Sequence, residues 1–256
     1  MKLDHYSCIT GITNDSIKQF WENQTSSFSR FDSPDYYARN SEEHASLMTD
    51  EEITGPCIDL GCGAGELLPF LLLHIKVVRG LDYSEAMLEA ARKRLDGSSI
   101  KLVCASLADA LPLAEERTWM TTGALNQYLD QGQMREFLRM FKLNEPARSL
   151  FLFDCIDPLL YSLLTFGIGC HSKVRPALKD LNGGLKAATF PARRAIVGAK
   201  LALGIVCDPS GKLDGPQMGF GYAPVQWRSF LEPLDLEVEF VISQLFEYRF
   251  HAIIRK

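Results

Sequence analysis

Cys57-Ile58-Asp59-Leu60-Gly61-Cys62-Gly63-Ala64-Gly65 is the stretch whose reading decides the fold. A short apolar run ends in an acid, Asp59, and turns on three alternate glycines. An apolar, amphipathic stretch follows from Glu66 to His74, so the order reads as buried strand, tight turn, helix. Glycines so spaced let the backbone take positive φ and let a ligand approach where a Cβ would stand. The turn also sets free helix N-terminal amides beside that ligand. The dinucleotide fingerprint G-x-G-x-x-G wants its third glycine one position later, where Glu66 stands. No G-x-x-x-x-G-K-[ST] occurs, which excludes a phosphate-cradling P-loop. An acid two residues before the first glycine suits a ligand with an ammonium group better than a pyrophosphate.

Val77 to Asp82 reads as a second strand that again ends in an acid. Ser84 is a good N-cap for a helix through Met87, Ala90, Ala91 and Leu95, stopped near Gly97. Lying roughly twenty residues past the glycine turn, Asp82 is placed to accept two ribose hydroxyls. D-x-G-x-G-x-G, followed by Asp82-Tyr83-Ser84-Glu85-Ala86-Met87-Leu88-Glu89-Ala90-Ala91, resembles the class I S-adenosylmethionine-dependent methyltransferases of small-molecule type. The resemblance implies S-adenosylmethionine as cofactor. It also implies cofactor contacts from Asp59, Gly61, Cys62, Gly63 and Gly65 in the turn, and from Asp82 and Tyr83 after the second strand.

A third strand, Ile100 to Ala105, leads into Ser106-Leu107-Ala108-Asp109. The family commonly reads adenine here with an acid or a neighbouring amide, which implies Ser106 and the Leu107 amide, with Asp109 as competitor. A fourth strand, Thr118 to Thr122, passes into Gly123-Ala124-Leu125-Asn126-Gln127-Tyr128-Leu129-Asp130. This segment is similar to the family's post-strand text, with Gly123 on the cofactor side and Gln127 where a histidine usually stands. A helix over Gln131–Leu143, a buried strand over 149–154, a helix near Trp227–Leu231 and strands at 236–242 and 246–254 complete the pattern. The last two strands are joined so briefly that they form an antiparallel hairpin. The fold expected is α/β: a Rossmann-like, seven-stranded, mostly parallel sheet with an antiparallel last strand, helices on both faces, and a helical cap insertion.

The organisation expected is an N-terminal helical lid (1–50), a cofactor-binding core (51–158), a cap insertion (159–222) and a C-terminal helix with β-hairpin (223–256). Residues 16–23 suggest one lid helix and Asp32-Ser33-Pro34 starts another, carrying Tyr36, Tyr37 and Arg39. By the resemblance, Tyr37 and Arg39 are lid contacts to the cofactor, Arg39 to its carboxylate; simple packing against the sheet edge is the alternative for the tyrosines. The insertion holds eight Lys and Arg against three Asp, net +5, leaving −10 for the rest of a chain whose net charge is −5. That asymmetry suggests an anionic partner or surface. Residues 187–206 are compatible with a peripheral membrane helix, or with the wet face of a substrate cap.

Methyl transfer is an in-line displacement that needs alignment, a dry chamber and, where the acceptor holds a proton, a base. The candidate catalytic residues are Asp154, which could equally be a strand-end acid capping the next turn, Tyr128, and His171, for which a solvated loop histidine is the alternative, with Asp157 also at a strand end; His251, alternating within a strand, reads as structural. The expected acceptor is a small or amphiphilic metabolite taking the methyl on O, N or C. No Asn/Asp-Pro-Pro-Tyr clamp occurs and no Pro-Cys nucleophile segment follows the fourth strand, and the mildly acidic chain argues against nucleic acid. The alternative is a non-catalytic methyltransferase-like domain that uses the basic insertion for a partner; an NAD-dependent oxidoreductase is disfavoured by Glu66. Seven scattered cysteines show no metal-ligand spacing, so no metal is expected, and a reducing cytoplasmic location is. At 256 residues and 46% hydrophobic, the chain can bury a full core.

Overall fold

The computed structural model describes residues 34–111, 114–123, 125–165 (backbone only at 162–165), 210–213, 219–246 and 248–256. The expected helix at 16–23, His171 and the segment 187–206 lie outside the described residues. Seven strands form one sheet: β1 Cys57–Leu60, β2 Val77–Asp82, β3 Lys101–Cys104, β4 Thr118–Thr121, β5 Ser149–Ile156, β6 Glu237–Ile242 and β7 Arg249–Arg255. The spatial order is β3-β2-β1-β4-β5-β7-β6. β1 pairs in parallel with β2 and β4, β2 pairs in parallel with β3, and β6 pairs antiparallel to β7. The mostly parallel sheet with an antiparallel end is therefore as the sequence implies. Chain order reverses at β1 and β4, and in open α/β sheets such a switch point opens the ligand crevice at the strands' carboxyl ends.

Packing divides the chain into two compact units, residues 1–125 with 139–151, and residues 126–138 with 152–256. In the first, β1 and β4 are buried at every position, as their apolar runs require for strands covered on both faces. Helices α1 Pro34–Ser46, α2 Asp50–Thr54, α3 Leu68–Leu71, α4 Glu85–Arg94 and α5 Leu107–Ala110 surround them. Thr49 and Glu52 make a capping box at α2: the Thr49 hydroxyl accepts from Glu52 N–H and the Glu52 carboxylate from Thr49 N–H at 2.8 Å. Glu52 also accepts from Ser149 Oγ at 2.5 Å. The helix expected over 66–74 shrinks to α3, which has Pro69 in its first turn and no side-chain cap at Leu67.

Helix α6, Gln131–Leu143, runs from the second unit into the first. The second unit also holds α7 Pro158–Thr165, α8 Pro224–Leu231 and the β6–β7 hairpin. Tyr222, Trp227 and Phe230 meet edge to face at 5.2–6.0 Å, and Arg135 lies 4.6 Å over the Phe230 ring. β7 begins at Arg249 because Ser243 Oγ accepts from the Leu245 and Phe246 amides and keeps 243–246 a turn. Among the described residues no helix is long and apolar enough to cross a membrane.

Candidate active site

The glycine turn takes the conformation its spacing predicts, with φ of +69°, +55° and +68° at Gly61, Gly63 and Gly65. The three glycines serve different ends. A Cβ on Gly61 would stand 3.0 Å from Leu125 Cβ, and one on Gly65 3.2 Å from Ala91 Cβ, so both positions are close-packed. A Cβ on Gly63 would meet nothing within 4 Å, which leaves this bend open to a ligand. Gly123 closes the turn from β4: a Cβ there would lie 1.8 Å from Gly61 O. Cys62 points the other way, 4% exposed, with its Sγ 3.0 Å from where a Gly80 Cβ would be.

Asp82 ties the turn down. Its Oδ2 accepts from Gly63 N–H and its Oδ1 from Ser84 N–H, each at 2.9 Å. Burial raises its pKa, and the bonds from Ser84 and Gly63 oppose the rise. The carboxylate is half-buried, and lone pairs remain on both oxygens for hydroxyl donors. Tyr83 is likewise half-buried beside it in sequence.

Asp59, expected to face an ammonium group, is fully buried. It accepts from Thr122 N–H at 3.0 Å and from Thr122 Oγ1 at 2.5 Å, and thus binds the end of β1 to the end of β4. Desolvation pushes its pKa up to about 7 despite those bonds. Thr122 is a site residue that the sequence reading passed over; the available signal was a hydroxyl residue directly after β4 and beside an acid-ended strand.

Ser106 caps α5: its hydroxyl donates to Asp109 Oδ2 at 2.7 Å and accepts from Asp109 N–H at 3.3 Å. Its competitor for adenine, Asp109, is thus its own capping partner, and Leu107 occupies the first helical position. Tyr37 is 8% exposed and stacks on Phe70 at 6.1 Å between centroids, whereas Arg39 is exposed and paired with Asp35 at 3.3 Å.

The catalytic candidates Asp154 and Tyr128 belong to the second unit. Asp154 lies inside β5 rather than at its end, with φ +56° and its carboxylate 3.4 Å from the Arg249 guanidinium. Its amide donates to His251 Nδ1 at 3.3 Å, and the fully buried His251 ring meets Phe153 edge to face at 5.7 Å, a structural setting. Burial pushes the Tyr128 hydroxyl up to about 12, with Arg249 pulling it down. Asp157 caps α7 through the amides of Leu159 and Leu160 at 2.9 and 3.1 Å.

Residues 57–143 match the family model of the methyltransferase domain. The fold is similar to DhpI in its complex with SAH at 14% identity, covering 94% of this chain and 95% of that one, TM-score 0.59. It is similar to an S-adenosylmethionine-dependent methyltransferase from Clostridium acetobutylicum at 12% identity, covering 94% and 98%, TM-score 0.56. The mitomycin 7-O-methyltransferase MmcR matches at 16% identity over 86% of this chain and 54% of its own, TM-score 0.52. No curated protein matches in sequence. Residues 57–143 thus carry a methyltransferase domain, the chain shares the fold of these methyltransferase structures, and S-adenosylmethionine is the methyl donor that domain and fold imply.

Proposed function

We propose that the chain moves the methyl group of S-adenosylmethionine to an O, N or C atom of a small or amphiphilic metabolite. The observation that carries this is the Gly61–Gly65 turn, bent open at Gly63 and held by Asp82. The sulfonium supplies an activated methyl group. In this reading the Gly61–Gly65 backbone and Gly123 hold the amino-acid part, Asp82 accepts the ribose hydroxyls, and Tyr83, Ser106 and the Leu107 amide flank the adenine. Tyr37 packs behind the site, and Arg39 must leave Asp35 to reach a carboxylate. Asp59 and Cys62 act from below, through Thr122 and Gly80, by fixing the turn.

On the acceptor side Asp154, Tyr128 and His171 are the groups proposed. With its pKa near 12, Tyr128 is ionised in only about one molecule in 10⁵ at pH 7. It therefore works as a hydrogen-bond donor that orients the acceptor. Orientation in a dry chamber is the main requirement of such a displacement. Calorimetry with S-adenosylmethionine and S-adenosylhomocysteine tests the reading; no binding at millimolar cofactor by folded protein would overturn it.

A further inference from the structure

Gln127 is 7% exposed, and among the described residues its Nε2 is buried without a hydrogen-bond partner. Its backbone is held firmly. It closes the 3₁₀ turn Leu125–Gln127, and its carbonyl accepts from Phe220 N–H at 2.7 Å. Gly219, at φ +64°, comes so near that a Cβ there would lie 1.9 Å from Gln127 O. Two residues on, Leu129 O accepts from Tyr222 Oη at 2.8 Å. Residues 211–213 brace this latch, with Gly221 N–H on Gly211 O at 2.7 Å and Leu213 N–H on Gly219 O at 2.9 Å. The preceding side chain shows the same economy of partners: Asn126 Nδ2 donates to Cys155 Sγ at 3.1 Å, while its buried Oδ1 accepts nothing among the described residues.

Here a tightly fixed main chain carries an amide left without a bond among the described residues, and a buried polar group without a partner is disfavoured. Such a group persists where a ligand completes it, and a rigid backbone is what a recognising side chain needs. Gln127 also follows the carboxyl end of β4, the edge on which ligands bind in open α/β sheets. We propose that Gln127 is an acceptor-binding residue, whose Nε2 donates a hydrogen bond to an uncharged carbonyl or hydroxyl oxygen of the methyl acceptor. The donor is a neutral amide, which suits an uncharged oxygen. This assignment rests on the methyl-transfer reading above.

Gln127→Met, close to glutamine in length and volume, is the test, with Gln127→Leu as a second variant. In ligand-free protein both should raise Tm by roughly 2–6 °C, since each removes a buried amide that nothing satisfies. Calorimetric affinity for S-adenosylhomocysteine should not change. Transfer of label from tritiated S-adenosylmethionine into a small-molecule cell extract should fall at least about tenfold, as expected when a site's hydrogen bond to its substrate is lost. A lower Tm in both variants would show the amide to be structural and overturn the proposal, as would a raised Tm with undiminished transfer. Wild-type protein that binds no S-adenosylhomocysteine would instead overturn the methyltransferase reading, which keeps the two failures apart.

Discussion

Asp59 and Asp82 are both acids at strand ends, and burial separates their tasks. Asp82 keeps a solvent-facing share of its carboxylate while anchoring Gly63 and Ser84. Asp82→Ala should weaken binding of S-adenosylhomocysteine by roughly 1.5–3 kcal/mol, the loss expected for hydrogen bonds to a charged group; isothermal titration reads this directly. Asp59 is raised to about 7 in the fold. Its ionisation penalty is therefore absent below the unfolded value, grows between about 4 and 7, and is complete above that. The wild type should lose on the order of 1 kcal/mol of stability relative to Asp59→Asn between pH 6 and pH 8. Urea unfolding of both proteins at the two pH values checks this, and a constant gap would contradict the raised pKa. The glycine turn and both acids were legible because their chemistry is local in sequence. That Asp59 serves Thr122 was not, since the two are joined only by the parallel pairing of β1 with β4.

At the scale of elements, strands read best, because a run such as Ser149–Phe153 has one stable place, buried in the sheet. Helix lengths read less well: Pro69 and the uncapped Leu67 leave α3 a single turn although the apolar spacing continues to His74. The Thr49–Glu52 capping box was a visible signal for α2 that the sequence reading did not use. The latch of 219–222 on 127–129 was illegible, for it joins residues about ninety apart by main-chain bonds that carry no side-chain signature, with the Tyr222 hydroxyl as its side-chain member. Two glycines of similar φ measure its tightness. A Cβ at Gly97, φ +78°, meets nothing within 4 Å, whereas one at Gly219, φ +64°, runs into Gln127 O. Gly97→Ala should cost about 1–2 kcal/mol from left-handed backbone strain alone. Gly219→Ala should cost at least about 1 kcal/mol more and lower Tm further, because the added methyl overpacks a closed contact. Equal losses would mean that the latch yields freely.

At the scale of the molecule, the basic segment and the glycine turn occupy different stretches of the chain. The turn at 61–65 is held by Asp59 with Thr122, by Asp82 and by Gly123, none of which comes from residues 159–222. The net +5 of that segment is carried by residues such as Arg193 and Arg194. If 159–222 is a cap over the acceptor, its removal should separate binding from turnover. The structure also says where to cut. Gly211 and Leu213 brace the latch that fixes Gln127, so a deletion must stop short of them and keep Gly219, Phe220 and Tyr222. Replacing 170–208 by a short Gly/Ser linker should leave affinity for S-adenosylhomocysteine within about threefold, a change of some 0.7 kcal/mol. The same variant should lose methyl transfer into the extract. Unchanged transfer would refute the cap, and lost cofactor binding would refute the independence of the turn. With the full chain, Arg193→Glu and Arg194→Glu then decide what the cations are for. Loss of transfer at low salt that added salt reproduces in the wild type marks contact with an anionic acceptor or surface, since exposed charge pairs are screened within about 10 Å at 0.1 M ionic strength. Unaltered transfer marks them as the solvated face of the cap.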